Sequence, residues 1–370
     1  MAKPVSKKKE PLFHIVKRGA MPMWKSLLVR AGALLAALIV CGFLTFFLTG
    51  QNPIEVYSTM IDGAIGTERR IWGLFQGISL LLCVSLAVTP AFKMKFWNIG
   101  AEGQVLMGGL AAALCMINLT DVLSPGLLMV TMIVTSIVCG ALWGIIPAFF
   151  KAHWNTNETL FTLMMNYIAI QIVRFFAYKY SVPKGTGTIK PINDISHTGW
   201  FPSLFGQEYL LNILIVVVLT LFMYLYLKHS KHGYEISVVG ESENTARYIG
   251  INVKKVIIRT MLLSGAICGI AGLIMVAGTD HTISADTAGG RGFTAIMVSW
   301  LANFNPIMMF LTSFLIVFME KGAIEISSTF GLNDSFSDII TGIIILFIIG
   351  SEFFIRYSVK FKEKKEVKNK

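Results

Sequence analysis

Charge is what this chain has least of. Only 14% of its 370 residues are Asp, Glu, Lys or Arg, and 54% are hydrophobic, whereas an ordinary soluble domain is about a quarter charged. That shortage excludes a water-soluble globule with a conventional surface. Missing motifs exclude more. No GxxxxGKS/T stretch occurs, so the chain lacks a phosphate-cradling loop for ATP. HExxH and GxSxG are absent too. The five cysteines, Cys41, Cys83, Cys115, Cys139 and Cys268, lie in apolar runs without a CxxC pair, a pattern of packing rather than metal or disulfide chemistry. Of the six histidines only His229 and His232 are close in sequence, and a solvated basic loop accounts for them better than a metal does. No apolar run carries a ladder of Asp, Glu or His suited to a proton relay. No catalytic set, no metal set and no cofactor of the chain's own is therefore expected. These absences argue against an enzyme and a self-sufficient proton pump, while sodium coupling through neutral oxygens stays open.

What is present is a series of long apolar runs. A helix needs about 20 such residues to cross a bilayer. Spans are expected near 27–48, 71–92, 102–118, 127–150, 159–178, 209–228, 256–278, 293–304, 306–321 and 336–353. The eighth and ninth are short and split by the break at Asn303–Pro306. The expected fold is an all-α, polytopic transmembrane bundle of about ten spans, one or two of them short or broken. Most of the 32 Lys and Arg fall in alternate segments, including Lys93, Lys95, Lys151, Lys228, Lys231, Arg247, Lys254, Lys255 and both termini. Arg69, Arg70, Lys179, Lys184, Lys190, Arg291 and Lys321 make up the sparser opposite set. The positive-inside rule then predicts cytoplasmic N- and C-termini. The net charge of +11 reads as topology plus attraction to anionic lipid, and no aromatic-interleaved basic patch points to nucleic acid.

Nothing at the N-terminus reads as a cleaved signal, and the first span is expected to remain as an anchor. Residues 1–26 form a basic segment, either interfacial, with Phe13, Ile15, Val16 and Trp24 as anchors, or a solvated tail. The membrane domain is 27–355, with an outer loop at 179–208 and an inner loop at 229–258, and 356–370 is a basic tail. The inner loop holds a very short helix, with Asn244 as its expected N-cap, Gly250 as its C-terminal stop and Arg247 complementing its dipole. So short a helix is marginal alone in water, so it needs a surface, either its own protein or a cytoplasmic partner.

Polar groups inside the spans form three sets. The first is Asn98, Glu102 and Gln104 around Gly100 and Gly103, where a new helix begins and exposed N–H groups are available to a ligand. In the second, after Asn155 and Asn157, Glu158, Thr162 and Asn166 recur every four residues on one helix face. The third follows Gly289-Gly290-Arg291-Gly292-Phe293-Thr294 with Ser299 and Asn303, and suits a half-helix buried at depth. Interhelical hydrogen bonds that hold the bundle together are the competing reading. The small-xxx-small pattern in Gly265–Gly272 serves close helix packing.

The stretches FWNIGAEGQVLMGG (96–109), NETLFTLMMNYIA (157–169), VGESENTARYIGI (239–251) and GRGFTAIMVSWLANFNP (290–306) resemble the signatures of bacterial ABC importer permeases of the branched-chain amino acid and simple-sugar superfamily. They are most similar to the larger permease of purine-nucleoside uptake systems. The resemblance implies a plasma-membrane permease paired with a second permease subunit, cytoplasmic ATP-binding-cassette ATPases that use ATP-Mg, and an extracellular substrate-binding lipoprotein. It implies that the helix at Glu241–Gly250 couples to the ATPase through Gly240, Glu241, Asn244, Ala246, Arg247, Tyr248 and Gly250, with Ala246 and Tyr248 in a groove on it. For an uncharged nucleoside the candidate pathway residues are Asn98, Glu102, Gln104, Glu158, Thr162, Asn166, Phe293, Ser299, Trp300 and Asn303. Two departures stand out: Asn244-Thr245-Ala246 where the family has Asn-Pro-x-Ala-Ala, and Trp300-Leu301-Ala302 where it often has Leu-Leu-Gly. Simple sugars suit the same polar groups, and a self-contained secondary transporter or facilitator remains the rival from another class.

Overall fold

The apolar runs become helices of the length a bilayer demands. The computed structural model describes residues 13–19 and 21–361. The basic tips, Lys3 to Lys9 and Lys362 to Lys370, lie outside the described residues, as do the side chains of Phe13 and Ile15. In chain order the elements are β1 (Phe13–Lys17), α1 (Met23–Thr49), α2 (Pro53–Ile65), α3 (Glu68–Lys93), α4 (Ala101–Leu119), α5 (Pro125–Trp154) and α6 (Glu158–Tyr180). They continue with α7 (Leu210–His229), α8 (Lys231–Glu241), α9 (Glu243–Tyr248), α10 (Val253–Met275), α11 (Arg291–Leu301), α12 (Pro306–Thr329), α13 (Asp334–Arg356) and β2 (Tyr357–Phe361). A π turn, Val276–Asp280, extends α10. Among the described residues nine helices are long and apolar enough to cross a membrane, all of the above except α2, α8, α9 and α11. The span expected at 293–304 is the one that falls short. It is α11, of 11 residues, about 16 Å long at 1.5 Å per residue, roughly half the hydrocarbon thickness.

The chain divides into a terminal unit, up to Gly63 and from Met319 onward, and a central unit, Ala64–Phe318. In the terminal unit α1 and α13 lie antiparallel. Arg30 pairs with Glu352 at 3.2 Å near one end, and the Cys41 thiol faces the Ile340 carbonyl toward the other. β1 and β2 pair antiparallel, with Phe13 opposite Phe361 and Lys17 opposite Tyr357. This small sheet is unexpected in a segment read as an interfacial stretch or a solvated tail. It brings the two described ends of the chain together.

The central unit is built on α10, which packs on α3, α4 and α5. The small residues read from the sequence are the contact. A Cβ added to Gly269 would land on the Ser136 carbonyl oxygen, one on Gly265 would strike the Gly140 carbonyl, and one on Gly108 would strike the Gly269 backbone. Backbones in direct contact gain dispersion along their whole length, the attraction available to helices that have no hydrophobic gain to make in lipid. Gly269→Val is expected to lower the melting temperature of the solubilised protein by about 5 °C or more, since overpacking a tight site costs about 1–3 kcal/mol. Gly73→Ala, whose Cβ meets nothing within 4 Å, should melt like the wild type. Equal melting of the two variants would contradict the packing.

Candidate functional site

The α3–α4 turn is the centre of the polar network. Asn98 is fully buried. Its amide donates to Ser264 of α10 at 3.1 Å, and its oxygen accepts from the Gly100 N–H at 3.1 Å and from Gln104 at 3.3 Å. From α6, the Thr162 hydroxyl accepts the Ile99 N–H at 3.2 Å. Asn166 accepts the Gly103 N–H and donates to the Ile99 carbonyl, both at 2.8 Å. Of the N–H groups around the start of α4, expected to be open to a ligand, those of Ile99, Gly100 and Gly103 are thus taken up within the chain. Gly100 and Gly103 permit close approach, as read from the sequence, but what approaches is α6. Glu158, on the same face, turns away from this cluster and pairs with Lys151 at 2.9 Å across the α5–α6 turn.

Glu102 makes a different contact. Its carboxylate, almost fully buried, accepts the N–H of Gly290 on one oxygen and that of Gly292 on the other, each at 2.8 Å. These are groups at the N-terminus of α11, where unpaired N–H donors and the helix dipole both favour an anion. Gly290 holds φ +71, and a Cβ on Gly292 would lie 2.5 Å from the Glu102 nitrogen, so glycine is needed at both positions.

The contact lies deep in the bundle. Asn98 is level with Ser264, and Val105 is level with Gly272. Glu102 lies between these levels, near the middle of the 28-residue span Val253–Asp280. α11 therefore starts at mid-depth. The chain reaches that depth without a helix: Ile192 N–H bonds the His281 carbonyl at 2.7 Å, Thr282 bonds the Ile189 carbonyl at 2.7 Å, and turns at Ser284–Thr287 and Asp286–Gly289 follow. α11 then runs on to the α8–α9 end of the bundle. There Ser299, fully buried, meets Thr89 at 2.9 Å, and Trp300 meets Phe92, Trp97 and Phe304. Phe293 and Trp300 are exposed. Asn303 is exposed as well, in a left-handed turn at φ +48.

The α8–α9 hairpin corrects two expectations, the cap of α9 and the outward face of Ala246. Ser242, not Asn244, caps α9, accepting the Thr245 N–H at 3.3 Å. Asn244 is instead an exposed residue of the first turn. Ala246 is 0% exposed, so it packs inward and offers a partner nothing. Tyr248, at 93% exposed, is the side chain that faces out. Gly250 ends the element at φ +87, as its expected stop role requires. Gly240 is buried against the backbone of Lys93 and Met94, whereas Glu241 is exposed. Arg247 pairs with Glu243 at 3.1 Å on the surface. Sequence reasoning missed Ser264, Thr89, Lys151 and the Trp97–Trp300 pairing. All but Lys151, which lies across the α5–α6 turn from its partner Glu158, are supplied from distant parts of the chain, and only the residue types carried a signal.

Glu102→Ala should lower the melting temperature by about 5 °C or more, because two buried N–H groups lose their partner at roughly 1–3 kcal/mol each. Glu102→Gln, which keeps one acceptor oxygen, should lose less. An Ala variant that melts like the wild type would show that the contact does not hold α11.

Residues 71–349 match the family described as branched-chain amino acid transport system / permease component. The glucose ABC transporter permease protein TsgB13 of Haloferax volcanii is 28% identical, covering 92% of each chain. The guanosine ABC transporter permease protein NupP of Bacillus subtilis is 29% identical, covering 87% of this chain and 92% of that one. The nucleoside ABC transporter permease protein NupB of Lactococcus lactis is 28% identical, covering 86% and 87%. With the family match running over three quarters of its length and nine membrane-length helices to go with it, the chain belongs to this family of permease components and is a multi-pass membrane subunit of an ABC transporter.

Proposed function

We propose that the chain is the transmembrane permease subunit of an importer that moves nucleosides, purine nucleosides foremost, across the plasma membrane. The observation that carries the reading is the α8–α9 hairpin. It is too short to stand alone in water, yet it is capped at Ser230 and Ser242 and seated by Gly240 on the end of α3. It lifts Tyr248 into solvent beside a cleft lined by Arg247 and Gly250–Lys254. A rigid projection carrying one exposed aromatic is suited to a socket on a separate motor. The motor is a cytoplasmic ATPase, which supplies the ATP-Mg chemistry that this chain has no phosphate loop to perform. The Lys and Arg bias of the same end supports a cytoplasmic position for it and for both termini. A second permease subunit and an extracellular substrate-binding lipoprotein complete the assembly.

The nucleoside assignment is supported by the names of the guanosine and nucleoside relatives. The sugar reading is favoured by the glucose relative, which is equally similar.

Tyr248→Asp should reduce ATP-driven uptake at least about tenfold and release the ATPase on copurification, because it puts a charge into a desolvated contact, while the chain still inserts in the membrane. Survival of both uptake and copurification would sink the coupling role. Ala246→Arg would be a poor substitute, since a charge at a fully buried position disrupts α9 itself. For the substrate, uptake of labelled guanosine is expected to be competed by nucleosides and left alone by glucose, ribose and leucine. Competition by the sugars alone would move the assignment to a sugar permease.

A further inference from the structure

Segment 281–290 is non-helical and descends to the middle of the bundle, where Gly290, with Gly292 of α11, meets Glu102. In hydrocarbon, each backbone group without a partner costs several kcal/mol. Irregular backbone at membrane depth therefore persists only where protein buries it or where it lines a water-filled space. The outer face of this segment is not buried by its own chain. Asp286 and Gly289 are exposed and Arg291 is half-buried, and charged side chains are excluded from a lipid-facing surface at that depth. That face therefore looks onto water or polar protein. α11 continues it. Phe293 and Trp300 are seven residues apart, two helical turns, and so share one side of the helix. Both are exposed, at 43% and 37%.

At the lower end of this wall Trp300 meets Trp97, itself 45% exposed. The ring centroids are 5.7 Å apart and the planes tilted by 33°. Both indoles are braced from behind. Phe92 stands edge-on to each, at 5.8 Å from Trp97 and 6.4 Å from Trp300, and Phe304 stands at 5.8 Å from Trp300. The left-handed pair Asn303 and Phe304 folds Phe304 back onto that ring. Thr162 holds the backbone just beyond Trp97 by accepting the Ile99 N–H at 3.2 Å, and Ser299, beside Trp300, is held by Thr89. Two half-exposed indoles on a rigid backing form a stacking surface whose ordering cost is met in folding.

We propose that residues 286–300 line the translocation path and that Trp97 and Trp300 form a platform on which the flat base of a nucleoside stacks during passage. The proposal rests on the nucleoside reading above and deepens it. The platform discriminates by the base and leaves the ribose free, because a π face binds any purine or pyrimidine ring with little regard to its hydrogen-bonding edge. Passage is transient, so the platform supplies a modest interaction and acts on the rate of transfer more than on capture.

The test uses the assembled transporter, the chain with its partner subunits, in proteoliposomes. Trp300→Ala and Trp97→Ala should each cut the rate of labelled guanosine uptake about fivefold to tenfold. Trp300→Phe should recover most of it. Trp154→Ala, which removes an exposed tryptophan on α5 away from this wall, should leave the rate unchanged. Wild-type rates in both Ala variants, in a transporter that does carry guanosine, would overturn the platform alone. A wild-type transporter that carries glucose and no nucleoside would overturn the nucleoside reading and the platform with it. A second arm does not depend on the cargo. Phe293→Cys, in a background with the five native cysteines replaced, should react with a charged, water-soluble thiol reagent and be shielded by excess guanosine. No reaction in the folded, assembled protein would mean that this face does not line the path.

Discussion

A buried carboxylate holding two backbone N–H groups lets this chain enter the membrane as something other than a helix. The descent through 281–290 leaves α11 with an N-terminus at mid-depth, where no water can satisfy its first donors. Glu102 meets two of them, and the helix dipole in turn stabilises the charge. Each partner alone would be costly. A bare carboxylate in that position would be an unpaired ion in a low-dielectric interior, and bare N–H groups would be orphans. Together they solve one another's problem, and the geometry demands glycine at 290 for its left-handed φ and at 292 because a side chain there would occupy the space of the bond.

The polar cluster is subordinate to that contact. For Glu102 to reach α11, α4 must begin deep and close to α10, and the chain achieves this with backbone-on-backbone packing through Gly108, Gly269 and Gly272. The α3–α4 turn is then buried, and its amides need partners. Asn98, Thr162, Asn166 and Ser264 provide them. Asn98, Thr162 and Asn166 were candidates for lining a path, and in the folded chain each spends its hydrogen bonds on the scaffold. Two of the exposed members of the candidate set, Phe293 and Trp300, are largely apolar, and the third, Asn303, sits in the turn that ends α11, whereas the cluster that resembled a polar site is mostly architecture.

The division between what could and could not be read from the sequence follows the range of the forces involved. Span positions were legible because hydropathy is local and the bilayer sets one length for all of them. The αL stop at Gly250 and the close-packing glycines were legible because each rests on the residue's own stereochemistry. The cap of α9 was misplaced by two residues because Ser242 and Asn244 are both good caps, and only the backbone, extended at Ser242 with ψ 118, decides between them. The inward turn of Ala246 is invisible in a six-residue helix with too few positions to show a period. The strands β1 and β2 form only because residues more than 300 positions apart meet, and the Glu102–Gly290 pairing spans 188 positions. A glycine-rich stretch marked one side of that pairing, but nothing in the sequence named the other.

The same packing links the two ends of the proposed machine. Gly240 of α8 rests on the backbone of Lys93 and Met94, immediately after Phe92. Phe92 backs both Trp97 and Trp300, and Arg259 bonds Glu235 at 2.8 Å, tying α8 to α10. A load applied at the exposed Tyr248 thus meets, within a few contacts, both the aromatic wall and the helix on which the glycine packing converges. No flexible side chain intervenes at the first step, because at Gly240 the backbones touch directly. Contiguity of this kind is the physical condition for transmitting a displacement. A larger residue at 240 would separate α8 from α3 and interpose a side chain that can change rotamer instead of passing the movement on. The short hairpin and the half-helix, the two elements too short to stand alone, are thereby joined through the end of α3.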